Sequence, residues 1–327
     1  MKILVIPDIH QTEHYKDFLK EYFDNVGRVV FLGDYFDYHD DTGVVSTEKA
    51  VMNFQEIANL ARLNPDKVDI LIGNHDNEYV SDDMTNTYQY RFEALIGKVL
   101  RENLDVLKVA VKIDNYVFSH AGISDVFLYM NGFADKRNGK VVPFENSIGL
   151  LNEKFHKEGA DFLCFSPFDM SGYGDDKTSS PTWIRPNSLL QHAAYPLQVV
   201  GHTAIGENGS RHAYFEYRGN KVIFTDTNLK NIPLIIDTKK QYDFYDVEKK
   251  GKQICHIVKI KVEKTANSET YSYKIVTDLE EEPVLYRSML EATGLEKTEI
   301  SEYIDSALEE LAEVCDLCGE IPAYEIM

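Results

Sequence analysis

Short apolar runs alternate with helical patterns in the first 72 residues of the chain. The runs 3–6, 28–32 and 68–72 have the length and composition of buried strands. Between them, apolar residues recur at helical spacing, over about residues 13–25 and again in the segment that Ser46 can cap. Strands that alternate with helices usually pair in parallel, so this order predicts a parallel sheet covered by helices.

The middle of the chain is less regular. The pattern there predicts, in order, a polar loop and helix over 77–104, strands at 106–112 and 115–119, a helix at 146–158, a Gly, Ser and Asp loop at 169–180, a strand at 197–200, a hairpin of 214–217 with 222–225, and a strand at 233–236. Long irregular insertions often carry binding surfaces, so we expect substrate contacts within 124–196.

The pattern changes again beyond about residue 240. Strands are predicted at 241–246, 254–263 and 270–276, followed by an acidic helical tail over 284–318. We find no internal repeat and no low-complexity linker. The sequence therefore predicts a main domain over residues 1–240 and a C-terminal extension over 241–327, made of strands and acidic helices and packed on the same domain.

Composition excludes several classes of protein. A net charge of -20 without a basic run argues against a duplex nucleic acid partner, because backbone binding needs clustered Lys and Arg. The first apolar run is too short for a signal peptide, and no run approaches the roughly 18 apolar residues that span a membrane. The four cysteines give no disulfide framework in 327 residues. We therefore expect a cytoplasmic protein; its oligomeric state does not follow from the sequence.

Several predicted strands end in residues that bind metals. Asp8 and His10 lie two apart and project from the same face of the first strand. The complete set at the strand ends is Asp8, His10, Asp34, Asp37, Asn74, His75, His120 and His202. The carboxyl ends of strands in open α/β sheets converge on one crevice, so these residues can share a site.

The mixture of carboxylate, imidazole and amide groups suits Mn, Fe, Zn or a related metal better than Ca. Even six of these eight residues would be too many ligands for one ion. Two divalent ions about 3.5 to 4 Å apart, bridged by one carboxylate, would use all six.

Five ordered motifs in this set resemble the signature of the calcineurin-like metallophosphoesterases. They are Asp8-Ile9-His10, Gly33-Asp34-Tyr35-Phe36-Asp37, Gly73-Asn74-His75-Asp76, Ser119-His120-Ala121-Gly122 and Gly201-His202-Thr203. Their spelling resembles the serine/threonine phosphoprotein phosphatase branch and its bacterial relatives, including symmetrical diadenosine tetraphosphatases. The resemblance covers about residues 1–236. It implies an α/β fold, a two-layer β-sandwich flanked by helices.

The resemblance also implies roles for these residues. Asp8, His10 and Asp34 would hold one metal, and Asp34 would bridge to a second metal held by Asn74, His120 and His202. His75 would donate a proton to the leaving oxygen, and Asp37 would orient its imidazole. The implied chemistry is direct hydrolysis by metal-bound hydroxide, without a phosphoenzyme.

The sequence departs from the family pattern at three places. Pro7 and Gln11 stand where the phosphatase branch usually has glycine. Tyr38 replaces the Arg that commonly follows the second Asp, which removes a bidentate phosphate clamp. Arg185 lies in a Trp-x-Arg-Pro segment similar to one that binds substrate in some relatives, so it is a candidate replacement, with His39 assisting.

The function that fits these observations is hydrolysis of a phosphoric ester, foremost a phosphomonoester such as a phosphoprotein or a small phosphoester. One alternative is cleavage of a dinucleotide polyphosphate or phosphodiester, which an aromatic slot formed by Tyr173 or Trp183 would favour. A second is a non-catalytic interaction module. Loss of ligands would mark that class, and every expected ligand is present.

Overall fold

A computed structural model describes most of the first 239 residues and parts of the C-terminal segment. The described residues are 1–38, 43–81, 87–164, 166, 168–169, 174–205, 212–227, 232–239, 254–255, 257–264, 270–277, 291–298, 300–301, 303–304, 308 and 316–317. The chain divides into two compact units, Met1–Phe244 and Tyr245–Met327. Packing of the C-terminal extension on the main domain stays a prediction.

The first 120 residues supply four strands of one sheet and begin a second. Their elements are β1 (Lys2–Ile6), α1 (His14–Tyr22), β2 (Arg28–Phe31), α2 (Thr47–Leu63), β3 (Val68–Leu71), α3 (Asn74–Asn77), α4 (Glu93–Arg101), β4 (Leu107–Lys108), β5 (Ala110–Ile113) and β6 (Tyr116–Ser119). Ser46 caps α2 through its side chain, as expected, accepting from the backbone N–H of Lys49.

The elements of residues 121–239 complete both sheets. They are α5 (Asp125–Met130), β7 (Ala134–Arg137), β8 (Lys140–Pro143), α6 (Ser147–Glu158), α7 (Pro186–His192), β9 (Leu197–Val200), β10 (Ala213–Tyr217), β11 (Asn220–Phe224) and β12 (Leu234–Asp237). The hairpin β7–β8 and the helices α5 and α7 occupy the irregular segment, where the sequence predicted only one helix.

Two five-stranded sheets form the main unit. The first has the order β12-β1-β2-β3-β4, in which β1 to β4 are parallel and β12 is antiparallel. The second has the order β10-β11-β9-β6-β5, with the parallel strands β11, β9 and β6 in its centre. The parallel pairing of β1, β2 and β3 confirms the expectation from the sequence.

Alternation along β1 shows how the layers are arranged. Ile3 and Val5 join a buried cluster with Phe118 and Val199 of the second sheet, so this face lies inside a sandwich. Leu4 and Ile6 belong to the other cluster, which includes buried residues of α2 and α4. The predicted β-sandwich flanked by helices is confirmed.

The predicted strand at 106–112 is in fact two strands in different sheets. β4 extends the first sheet, β5 belongs to the second, and Val109 lies between them. The backbone N–H groups of Val109 and Ala110 donate to Asn152 Oδ1 at 2.8 and 3.3 Å. Asn152 of α6 thus satisfies the backbone where the chain leaves one ladder and enters the next. An apolar run carries no mark of such a crossing.

Five strands are described in the C-terminal unit. They are β13 (Ile254–Cys255), β14 (Ile257–Lys264), β15 (Tyr271–Thr277), β16 (Glu291–Leu295) and β17 (Asp316–Leu317). β14, β15 and β16 form one antiparallel sheet, and β13 pairs with β17. The helical prediction for 284–318 is wrong at β16 and β17, where strand pairing overrides a weak local helical pattern. The predicted strand at 241–246 lies outside the described residues.

Among the described residues, no helix combines the length and apolar character needed to cross a membrane.

Candidate active site

The predicted site residues come from the ends of five strands, and the structure brings most of them together. Asp8 and His10 follow β1, and Asp34 and Asp37 follow β2. Asn74 and His75 open the short helix α3 directly after β3, while His120 and His202 follow β6 and β9. The described members of this set are buried, except His202, which is half-buried.

Asp34 lies at the centre of the cluster. Its Oδ2 atom is 3.6 Å from His10 Nε2 and 3.4 Å from His120 Nε2. Asp8, Asp34 and His120 each offer an atom within 4.8 Å of the others. A carboxylate between two imidazoles of different strands has the placement that a bridging ligand needs.

Asn74 lies between His120 and His202. Its Oδ1 atom lies 2.9 Å from His120 Nε2 and 2.8 Å from His202 Nδ1. His202 is in turn fixed to the first strand, because its backbone N–H donates to Asp8 Oδ2 at 2.8 Å. One amide oxygen and two imidazole nitrogens therefore point at a common space.

In His10, His120 and His202, the second ring nitrogen lies within hydrogen-bond distance of a backbone carbonyl oxygen. His10 Nδ1 lies 2.8 Å from the Asp37 carbonyl oxygen, and His120 Nδ1 lies 2.9 Å from that of Leu32. His202 Nε2 lies 3.2 Å from the carbonyl oxygen of Trp183. A neutral imidazole that donates to a carbonyl presents a lone pair on its other nitrogen, the arrangement usual for metal-bound histidine.

The electrostatics of the cluster favour a cation. Burial lowers the pKa of His120 to about 3 and that of His202 well below its ordinary value, so both rings are neutral near pH 7. Burial, reinforced by neighbouring carboxylates, raises the pKa values of Asp8 and Asp34. Asp8 Oδ1 is buried and accepts no hydrogen bond from the described residues. Neutral imidazoles, crowded carboxylates and an unsatisfied oxygen fit a pair of first-row divalent ions.

The backbone around the cluster is strained. His10, Asp34 and His202 have φ values of 43°, 53° and 62°, a region that non-glycine residues rarely adopt. Glycines make the close contacts possible. A Cβ on Gly73 would lie 2.1 Å from Asp34 Oδ1, and one on Gly201 would lie 2.0 Å from Asp8 Oδ1. Such strain is typical of functional sites.

Asp76 joins two of the loops. Its carboxylate accepts from the backbone N–H groups of Asp34 at 2.8 Å, Tyr35 at 2.8 Å and Gly73 at 2.9 Å. Asp34 Oδ1 also accepts from the backbone N–H of His75 at 3.0 Å. These hydrogen bonds fix the loop after β2 against the start of α3.

His75 and Asp37 form a pair next to the cluster. Asp37 Oδ2 lies 3.3 Å from His75 Nδ1, and Thr87 Oγ1 lies 3.1 Å from the same nitrogen. Glu78 Oε1 is 4.0 Å away, so Asp37, His75 and Glu78 also meet the distances of a metal group. Hydrogen bonding is enough to explain why these three side chains lie together, because Asp37 Oδ2 and Thr87 Oγ1 are both closer to His75 Nδ1 than Glu78 is.

Arg185 contacts the loop that carries His202. Its Nη1 atom donates to the His202 carbonyl oxygen at 3.3 Å and to Thr203 Oγ1 at 2.9 Å. Burial lowers its pKa, while the Asp34 and Asp226 carboxylates act in the opposite direction. The guanidinium is therefore within electrostatic range of the central carboxylate. Tyr38 is 39% exposed. His39 lies outside the described residues.

A family model described as calcineurin-like phosphoesterase matches residues 1–206, which is more than half of the chain. The chain belongs to this family. It is a phosphoesterase, a metal-dependent hydrolase of phosphoric esters. The comparison confirms the resemblance carried by the five motifs.

Solved structures similar to the phosphoesterase include a cold-active protein-tyrosine phosphatase of a psychrophile, Shewanella sp., with 18% identity, a TM-score of 0.48 and coverage of 72% of this chain and 75% of that one. A serine/threonine phosphatase from Saccharomyces cerevisiae has 15% identity, a TM-score of 0.39 and coverage of 69% and 66%. A metallophosphoesterase from Sphaerobacter thermophilus has 12% identity, a TM-score of 0.34 and coverage of 95% and 97%. No curated protein matches the chain.

Sequence reasoning missed several residues that support this cluster. Asp76 directly follows His75 near the start of α3. Nothing else in the sequence indicates that its carboxylate accepts three backbone hydrogen bonds. Tyr79 and Gln89, which both donate to Asp37, match no motif at all. Contacts of this kind depend on tertiary structure, so they are visible only in the folded protein.

Proposed function

We propose that this phosphoesterase is a phosphomonoesterase with two divalent cations, which hydrolyses a phosphoprotein or a small phosphoester without a phosphoenzyme. The observation that carries the proposal is the convergence of six ligand-type side chains, with Asp34 at their centre. We assign Asp8, His10 and Asp34 to one cation, and Asn74, His120 and His202, together with Asp34, to the other.

The cations, when bound, supply positive charge that neutralises phosphoryl oxygens and lowers the pKa of water. The protein residues have separate tasks. The carbonyl oxygens of Asp37, Leu32 and Trp183 hold the imidazoles in the tautomers that leave a lone pair inward. Arg185, fixed by the His202 loop, balances charge on the phosphoryl group.

His75 is the proton donor in this proposal. It directly follows the ligand Asn74, so its ring lies beside the cations, and its ring centroid is 5.2 Å from that of His10. Nδ1 faces the Asp37 carboxylate, which compensates the charge of the imidazolium and leaves Nε2 to protonate the departing oxygen.

The dinucleotide alternative rests on an aromatic ring at the site. The Trp183 ring lies edge-on to His202 with centroids 6.0 Å apart, and Trp183 is half-buried. Tyr173 lies outside the described residues. A base stacked on Trp183 is the contact that would favour a dinucleotide over a monoester.

Metal analysis of Asp34→Asn tests the assignment. Loss of the shared carboxylate should reduce bound Mn from about two ions to fewer than one per chain and lower hydrolysis by more than about 100-fold. Asp105→Asn is the matched control, since Asp105 is paired with Arg62 away from the cluster. Two ions retained by Asp34→Asn would contradict the bridging role.

A further inference from the structure

We infer that Tyr79 and Gln89 are positioning residues that fix the Asp37 carboxylate and, through it, the imidazole of His75. This inference rests on the proposed function. Asp37 is fully buried, with 0% exposure, and its Oδ1 atom accepts from Tyr79 Oη at 2.5 Å and from Gln89 Nε2 at 2.8 Å. A buried carboxylate with two donors on one oxygen has little rotational freedom.

The amide of Gln89 is itself fixed in one orientation. Its Nε2 atom also donates to Gln11 Oε1 at 2.5 Å, and its Oε1 atom accepts from Thr47 Oγ1 at 2.6 Å. The backbone N–H of Gln89 donates to Tyr79 Oη at 2.8 Å. Because Tyr79 Oη accepts that bond, its own hydrogen points at Asp37.

The consequence is a defined tautomer for His75. With Oδ1 occupied, Oδ2 of Asp37 remains for His75 Nδ1. Because a carboxylate oxygen only accepts, Nδ1 carries a hydrogen, and the hydroxyl oxygen of Thr87, 3.1 Å from Nδ1, can accept the same hydrogen. The other nitrogen, Nε2, is then the atom that exchanges a proton with substrate. Removing Tyr79 Oη and the Gln89 amide would let the carboxylate rotate and the imidazole change tautomer.

The backbone at Gln11 also supports the inference. A glycine would be less strained at this position, but it would lack the side chain that bonds to Gln89. Gln11 has a φ value of 59°, which costs a non-glycine residue on the order of 1 kcal/mol. Its side chain spans from Gln89 to the carbonyl oxygen of Val45, to which Nε2 donates at 3.1 Å. The network therefore joins the loop after β1, the loop after β2 and the start of α2 behind the proton donor.

The test uses Tyr79→Phe, Gln89→Met and the double variant, with one aryl and one alkyl phosphate as substrates. 4-Nitrophenolate departs without a proton, whereas the alcohol of ethyl phosphate needs one. The double variant should lower turnover of ethyl phosphate by about 30-fold and that of 4-nitrophenyl phosphate by less than about 3-fold, with Mn content unchanged. In a His75→Asn background the same substitutions should cause no further loss.

Tyr88→Phe is the matched control. Tyr88 stacks on Tyr79 with ring centroids 4.6 Å apart, yet its hydroxyl group bonds with Glu93 rather than Asp37. The control should leave turnover of both substrates within about 2-fold of the wild type.

A second readout needs no activity. NMR spectra of the metal-free protein with ¹⁵N-labelled histidine should show His75, identified by its loss in His75→Asn, as a single Nδ1–H tautomer. The double variant should show a mixture. The inference is overturned if the tautomer is unchanged, or if both substrates lose turnover equally. Hydrolysis of neither ester by the wild type, beside the expected spectra, would remove the proposed function and leave the positioning role standing.

Discussion

At the scale of single residues, each of the three predicted histidine ligands uses its two ring nitrogens for different purposes. One ring nitrogen of His10, His120 and His202 binds a backbone carbonyl, and the other faces the shared space. Burial raises the pKa of both Asp8 and Asp34, and the nearby Asp8 carboxylate raises that of Asp34 further. A site built this way is unfavourable on its own and becomes favourable when cations enter.

Replacement of the proton donor separates chemistry from metal binding. His75→Asn should lower turnover of an alkyl phosphate by about 100-fold or more, because the leaving oxygen then departs without a proton. Its Mn content should stay at about two ions per chain, since His75 is absent from the proposed ligand set. Elemental analysis beside steady-state kinetics measures both quantities, and an empty site in this variant would remove His75 from the role of acid.

Metal affinity should depend on pH through the two carboxylates. Their pKa values are raised in the folded, metal-free protein, so Asp8 and Asp34 take up protons as the pH falls, and a cation must displace them. At a pH below the ordinary pKa of these carboxyls, their raised pKa contributes fully to the stability of the metal-free protein. This contribution is lost as the pH rises through the raised pKa, because the buried groups then become charged. Mn should therefore raise the thermal midpoint more at about pH 8 than at about pH 6.

Thermal unfolding with and without Mn measures this difference, and calorimetry in two buffers of unlike ionisation enthalpy counts the released protons. Equal stabilisation at both pH values with no proton release would contradict the raised pKa values.

At the scale of elements, strands and helices with a clear apolar pattern were predictable. β1, α1, β2, α2 and β3 follow the expected order, because each carries its own buried face. The strand ends were predictable too, since the chemical types of their residues are visible in the sequence. The crossing at Val109 and the strand β16 depend on partners distant in the chain, which local pattern does not encode. The hairpin β7–β8 is different, because its strands join at Asn138-Gly139, a local turn signal that the sequence prediction missed.

Close approach of the loops is a second property of the elements. Gly201 directly follows β9 and lies close to Asp8, so Gly201→Ala would place a methyl group 2.0 Å from Asp8 Oδ1. The loop must then shift, so bound Mn and turnover should both fall by about 10-fold or more. Gly27→Ala is a matched control, because its nearest contact would be Met1 Sδ at 3.3 Å. Full metal content in Gly201→Ala would show that the loop tolerates the displacement.

At the scale of the whole molecule, the family is clear and the substrate is proposed. The matched residues 1–206 contain every assigned ligand. The C-terminal unit carries its own short sheet, and its relation to the catalytic unit, like the cytoplasmic location, stays a prediction. The absence of a duplex nucleic acid partner also stays a prediction, which rests on the net charge of -20.

The central claim is that two cations held around Asp34 hydrolyse a phosphomonoester. The most direct measurement strips the protein of metal, restores Mn, and compares hydrolysis of a phosphomonoester, a phosphopeptide, a phosphodiester and diadenosine tetraphosphate side by side. We predict that activity returns with about two Mn per chain and is highest on the monoester or the phosphopeptide. Preference for diadenosine tetraphosphate or the diester, or no hydrolysis with two Mn bound, would contradict the claim.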